Sequence, residues 1–192
     1  MIKRELLETI KIEDGQVMNI EWHNRRCNKS RLELFDEKKL LNLEEFIKPP
    51  PKGLYRCRIL YDNEVNSIEY IPYSPKKIKS LKIIQSDIDY KYKYNDREEL
   101  NKLLDNAYDD IIIEKNGFLT DTTIANIAFF DGEKWITPLK PLLEGTIREK
   151  LLSEEFLILK NIKSEDIKNF LHFALMNAMI GFQIQKSINI KL

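Results

Sequence analysis

The sequence predicts an α+β protein of two lobes, a smaller one over residues 1–72 and a larger one over 80–192, joined by a linker at 73–79. Three observations predict it. Two hairpin patterns, with a polar stretch free of Gly and Pro at 21–35 between them, fill much of the first seventy or so residues. The segment Pro72-Tyr73-Ser74-Pro75-Lys76-Lys77 then breaks all apolar periodicity. Beyond it, apolar runs of strand length alternate with turn signals, most densely over 114–148, where Asn116-Gly117 and Asp131-Gly132 accept positive φ.

The elements follow in order. Residues 6–12 alternate weakly, turn at Asp14-Gly15 and return over 17–20, a hairpin. Residues 21–35 read as a helix carrying His23, Arg26 and Leu32, and 40–47 as a second, short one ended by the prolines at 49–51. Residues 54–61 and 65–71 form another hairpin across Asp62-Asn63-Glu64. After the linker, 80–85 is a strand. Residues 96–108 place Leu100, Leu103, Leu104 and Ala107 at helical spacing, with Asp96 as the cap. Residues 111–114 and 124–130 are strands, and 135–137 is a return strand stopped by Pro138 and Pro141. A helix opens at Gly145-Thr146-Ile147-Arg148 and runs through Leu152. Strands over 154–160 and 173–179 flank a short helix at 164–170, and 181–190 closes the chain as a strand.

Composition excludes several classes. The chain has 192 residues, 31 basic against 31 acidic, so no field of one sign favours nucleic acid or an anionic membrane. No apolar run approaches a membrane span, and the start MIKRELLETI does not read as a signal peptide, so a cytoplasmic protein is expected. Two cysteines, Cys27 and Cys57, and two histidines, His23 and His172, have no metal-ligand spacing, and no metal site is expected.

A few residues could carry chemistry. Gly145 at a helix start lets backbone N–H groups approach an anion, and Asp121 supplies an acid just before an apolar strand; together they suggest a phosphorylated cofactor. Lys91 and Lys93 lie on the Tyr-rich stretch Asp89-Tyr90-Lys91-Tyr92-Lys93-Tyr94 and would share a face if it is extended. Arg26, in His23-Asn24-Arg25-Arg26, offers a guanidinium suited to a phosphate. By composition alone, each of these also reads as an ordinary surface, turn or capping residue.

The blocks Leu119-Thr120-Asp121-Thr122-Thr123-Ile124-Ala125-Asn126-Ile127, Thr137-Pro138 and Gly145-Thr146-Ile147-Arg148 resemble, in order and spacing, the class IV aminotransferases. These are fold-type-IV, D-amino-acid-aminotransferase-like enzymes dependent on pyridoxal 5′-phosphate (PLP). The resemblance implies roles. Lys93, with Arg97 four residues on, matches the Schiff-base lysine; Lys91 has no such arginine. Arg26 of His-x-x-Arg maps to the cofactor phosphate, as do Gly145, Thr146 and Ile147, although Thr-Ile here replaces the more usual apolar-then-hydroxyl order. Asp121 stands where the family usually has Glu, against the pyridine nitrogen. Asn177-Ala178-Met179 is similar to an Asn-Ala-Leu found in the lyase members, which makes Asn177 and Ala178 cofactor contacts. Leu7-Glu8-Thr9-Ile10 resembles their Phe-Glu-Thr segment, which puts Thr9 near the substrate.

The resemblance therefore implies a homodimeric lyase that converts 4-amino-4-deoxychorismate to 4-aminobenzoate and pyruvate in folate synthesis. A branched-chain or D-amino-acid transaminase on the same scaffold is the first alternative. A non-catalytic member that binds a small anion or a protein partner is the second.

Overall fold

In the computed structural model, residues 5–191 are described, and counts and absences refer to these. The chain divides into two compact units. The first holds the residues up to Pro75 together with Tyr92–Asp96; the second holds Lys76–Lys91 and everything from Arg97 onward. The chain thus returns to the first unit for one short stretch, which contains Lys93.

The first unit is a four-stranded antiparallel sheet under one helix. Strands β1 (Leu6–Glu13), β2 (Gln16–Val17), β3 (Leu54–Tyr61) and β4 (Val65–Pro72) take the order β2-β1-β3-β4. Helix α1 spans Ile20–Phe35. The strand period of two decides which face is buried. In β1, Leu6, Ile10 and Ile12 are fully buried, and the register sets them beside Tyr61, Cys57 and Tyr55 of β3. With Cys27, Leu43 and Ile59 they form this unit's core. Both cysteines are free and buried, and burial pushes each thiol up to about 12.

Two local signals set α1. Asn19 before it and Asp36 after it both adopt the left-handed conformation, and the Asp36 N–H closes onto Arg31 and Leu32 carbonyls. The return strand expected over 17–20 is therefore only Gln16–Val17, because the chain must turn at Asn19 into the helix. The second helix expected over 40–47 is a single 3₁₀ turn, Leu43–Phe46. Asn24 and Asn28 of α1 bind its approach: Asn24 Oδ1 accepts from Leu43 N and Asn28 Oδ1 from Leu41 N.

The second unit is a nine-stranded mixed sheet. Its strands are β5 (Ser80–Gln85), β6 (Asp110–Lys115), β7 (Phe118–Thr122), β8 (Asn126–Phe130), β9 (Trp135–Pro138), β10 (Leu157–Lys160), β11 (His172–Asn177), β12 (Gly181–Gln185) and β13 (Asn189–Lys191). The main path runs β10-β9-β8-β7-β6-β5-β13, and β11 pairs with both β8 and β12. Between β7 and β8 the ladder is reduced to one residue pair, Asp121 opposite Asn126. The two halves of the sheet meet at that pair.

Helix α2 is only Glu98–Asn101, and α3 is Thr146–Ser153. A helix over 96–108 is not formed. Its cap is Arg97 rather than Asp96, and after Asn101 the bonds tighten to the i→i−3 type at Leu103 and Leu104. Asp105 then offers its carboxylate to the Ala107 N–H, a local bond that competes with helix continuation. The expected strand over 124–130 starts two residues late. Thr122 closes a tight turn, with its N–H on the Ala125 carbonyl and its Oγ1 accepting from Ile124 and Ala125 N–H groups. The closing strand of 181–190 splits into β12 and β13, the latter parallel to β5. The stretch 89–94 is not a strand; it makes one isolated bridge, Tyr94 to Leu6. Lys91 and Lys93 consequently share no strand face.

Strands β9 and β10 are parallel and α3 connects them. Ile147, with Leu151 and Leu152, packs against Ala128, Leu157, Ala174 and Met176, which seats the start of α3 over β8, β10 and β11.

Candidate active site

Each unit carries one cluster of the residues singled out above. In the first unit the centre is Glu8. It occupies the buried register of β1 and is fully buried, where a strand of this pattern would carry an aliphatic residue. Two residues of α1 three positions apart, and so on one helix face, close on it. Arg26 makes a bidentate pair, Nε to Oε1 at 2.8 Å and Nη2 to Oε2 at 2.6 Å. His23 Nδ1 lies 2.6 Å from Oε2. Burial pushes the Glu8 carboxyl up, but the Arg26 charge and the bonds from Arg26 and His23 outweigh it and bring it down to about 2. Burial lowers His23 despite its bond to Glu8, and the charges of Arg26 and Lys93 lower it further. His23 is accordingly neutral, with Nδ1–H the donor to Glu8.

Lys93 joins this cluster through a main-chain bond to Leu7, next to Glu8, and its charge lowers His23. Its main chain is fixed by the edge of β1. Strand β2 covers only Ile12 and Glu13, which leaves the other end of β1 open on that side. The Leu7 N–H fills the gap by donating to the Lys93 carbonyl at 2.8 Å, and Asn95 N–H donates to the Glu5 carbonyl at 3.0 Å. The structure thus brings Lys93 and Arg26 together. Lys91 stands elsewhere, on the wall of a cavity of about 320 Å³ in the second unit. Arg25 is exposed, with its guanidinium 4.5 Å from the Trp22 ring centre.

Thr9 lies on the opposite face of β1 from Glu8, paired with Arg58. Lys11, Arg56 and Arg58 share that face by register. Arg58 is held by Glu69 at 2.9 Å. Arg56 is half-buried, and its Nε is enclosed without a hydrogen-bond partner among the described residues.

In the second unit the centre is the junction of β7 and β8. Asp121 is buried, with Oδ1 accepting from Asn126 Nδ2 at 2.7 Å and Oδ2 from the Leu143 N–H at 2.9 Å. Burial pushes its carboxyl up to about 6, against the bonds from Leu143 and Asn126 and the charge of Arg148. Asn126 Nδ2 also donates to the Leu143 carbonyl at 2.8 Å. The Asn126 carboxamide lies against Gly145: a Cβ built there would stand 1.9 Å from Oδ1. Asn126 is therefore a joint that ties the buried acid to the mouth of α3. No side chain caps that mouth, and Thr146 and Ile147 are buried in its first turn.

Two neighbours fix the joint. Arg97 Nη2 donates to the Thr123 carbonyl at 2.6 Å and so holds the turn beside Asp121. Asn177 Nδ2 donates to the Ile124 carbonyl at 3.1 Å, while its Oδ1 accepts from Met179 and Ile180 N–H groups. The Asn177 side chain is spent on positioning that turn, and Ala178 lies within the tight connection from β11 to β12.

Sequence reasoning gave no role to Glu8 or to the Asn126 joint. The signal for Glu8 is a charge in the buried phase of an alternating strand. Nothing local marks Asn126, because its partners lie five and seventeen positions away.

The chain belongs to a PLP-dependent family, the class IV aminotransferases. A model of that family, amino-transferase class IV, matches residues 91–188. An uncharacterized protein of Haemophilus influenzae is 41% identical over 184 residues, which cover 92% of this chain and 98% of the relative. A crystal structure from Haemophilus somnus 129PT, of a protein provisionally named 4-amino-4-deoxychorismate lyase, is 39% identical with a TM-score of 0.85, covering 94% of this chain and 99% of that one. A hypothetical aminotransferase from Mycobacterium tuberculosis in its PLP-bound form has a TM-score of 0.74 over 96% of this chain and 81% of its own, at 13% identity, and shows the fold alone. The α+β, fold-type-IV assignment is thereby established, and no described helix is long and apolar enough to cross a membrane.

Proposed function

We propose that the chain is a PLP-dependent lyase that converts 4-amino-4-deoxychorismate to 4-aminobenzoate and pyruvate, a step of folate synthesis. The observation that carries the cofactor reading is the Asp121–Asn126–Gly145 joint, which locks a buried acid to an uncapped helix mouth. The 39% identity with the Haemophilus somnus protein of that provisional name supports the lyase over a transaminase.

The residues present fit PLP. A Cβ at position 145 would collide with Asn126, so the helix mouth is kept bare where a phosphate needs close approach to the N–H groups of Thr146 and Ile147. Asp121 is a buried carboxyl that burial holds near 6, and a cationic ring nitrogen would bring it down again. Arg26 adds a cation for the phosphate and Lys93 an amine for the aldehyde.

PLP, when bound, supplies a ring that takes up electrons as a proton leaves the substrate. The chain does the rest. Asp121 would hold a proton at the ring nitrogen. Asn126, Asn177 and Arg97 hold the Asp121 turn in place. Lys93 Nζ would take the proton from the carbon bearing the substrate amine and then deliver it to the departing enolpyruvate. The substrate's own six-membered ring would become aromatic as its ether bond breaks. The resemblance puts Thr9 near the substrate; its side chain leaves β1 on the face opposite Glu8. The resemblance also implies a homodimer.

The test is direct. PLP-loaded protein is given 4-amino-4-deoxychorismate and pyruvate is measured; in parallel, 2-oxoacid formation from branched-chain and D-amino acids is followed. Borohydride reduction and peptide mapping then locate the attached lysine. Pyruvate release with label at Lys93 is expected. Oxoacid without pyruvate makes the chain a transaminase, label at Lys91 overturns the lysine, and no label at all makes it non-catalytic.

A further inference from the structure

Stability alone does not call for Glu8. Its neighbours in the buried phase of β1 are Leu6, Ile10 and Ile12, and a buried ion pair is often no more stabilising than apolar residues of the same volume. What the pair supplies is geometry. Arg26 alone would carry about 2 kcal/mol of rotamer entropy, to be lost on meeting an anion. Glu8 takes that loss in advance. It engages the Nε and Nη2 edge of the guanidinium at two points, and His23 at 2.6 Å from Oε2 stops the carboxylate from rotating away. The plane of the guanidinium is then set, and Nη1 is the end turned away from Glu8.

We propose that Glu8 is a positioning residue for phosphate recognition: with His23 it sets the Arg26 guanidinium, so that the first unit selects phosphorylated over unphosphorylated pyridoxal. This rests on the PLP reading above. The Lys93 carbonyl accepts from the N–H of Leu7, the residue before Glu8, so the chain that carries the lysine is tied beside the same anchor. Glu8 acts through Arg26.

The experiment compares PLP with pyridoxal, which lacks the phosphate, by equilibrium dialysis on wild type, E8Q and R26Q. Wild type should prefer PLP. Glu8→Gln sets an amide donor against one Arg26 donor, so its preference for PLP should fall about tenfold or more with pyridoxal binding unchanged. In the Arg26→Gln background, Glu8→Gln should remove nothing further from the preference. Glu8→Asp is the second variant. It keeps the charge balance and the fold but retracts the carboxylate by one methylene, and it should also lose preference. Equal weakening of both ligands would make Glu8 merely structural. Undiminished preference in E8Q and E8D would also overturn the proposal while leaving the PLP reading intact. No PLP preference in wild type would remove both.

Discussion

Gly145→Ala puts the cofactor joint under direct strain. The backbone at Gly145, φ −73° and ψ 143°, suits any residue, so the substitution carries no conformational penalty and would elsewhere gain about 0.4–1 kcal/mol. The added methyl, however, stands 1.9 Å from Asn126 Oδ1 and 3.1 Å from its Cγ. Reaching ordinary contact requires the carboxamide to move by about 1.5 Å. Asn126 is 6% exposed and its Nδ2 makes bonds of 2.7 Å to Asp121 and 2.8 Å to Leu143. A movement of that size takes both beyond hydrogen-bond range. One is charge-assisted, worth about 1.5–3 kcal/mol, and one is neutral, worth about 1. Less the gain from alanine, the expected loss is about 2–3 kcal/mol, a fall in Tm of roughly 4–12 °C for a chain of this size. The assay is urea unfolding of the cofactor-free protein, with PLP titration alongside. The decisive control is Asn126→Ala, which removes the obstacle. In that background Gly145→Ala should be neutral or slightly stabilising, a non-additivity of about 2 kcal/mol or more. Additive effects, or a Gly145→Ala loss under about 0.5 kcal/mol, would refute the joint.

Arg26→Ala should weaken PLP binding by tenfold or more, while Arg25→Ala, exposed and stacked on Trp22, should change it little; equal losses by dialysis would mean that the wrong arginine is assigned. The Glu8 carboxyl is depressed from 4.5 to about 2, so its contribution to stability is complete above pH 4.5 and lost as pH falls from there towards 2. That amounts to about 3 kcal/mol, and a Glu8→Leu variant should show a flatter urea midpoint across this window; an identical pH profile would contradict the assigned pairing.

By itself the sequence determined the α+β class, the strands 54–61 and 80–85, the helix to Phe35 and the helix opening at Gly145, because hydrophobic period, turn dipeptides and helix starts are written within a few positions of one another. Its motif order also singled out Lys93, Arg26, Asp121 and the Gly145 mouth. It overran at 96–108, where the spacing of Leu100, Leu103 and Leu104 is helical but Asp105 claims the Ala107 N–H. It missed β7, and it began β8 early, because a turn held by the Thr122 hydroxyl looks in sequence like continuous apolar strand. Only the tertiary structure decided what surrounds the candidate residues. That Arg26 is gripped by Glu8 follows from a register between β1 and a helix face eighteen positions on. That Gly145 must lack a side chain follows from Asn126, nineteen residues earlier in the chain and in contact with it. Burial and pairing of a charge are set by which distant segments enclose it, and no local pattern contains that information.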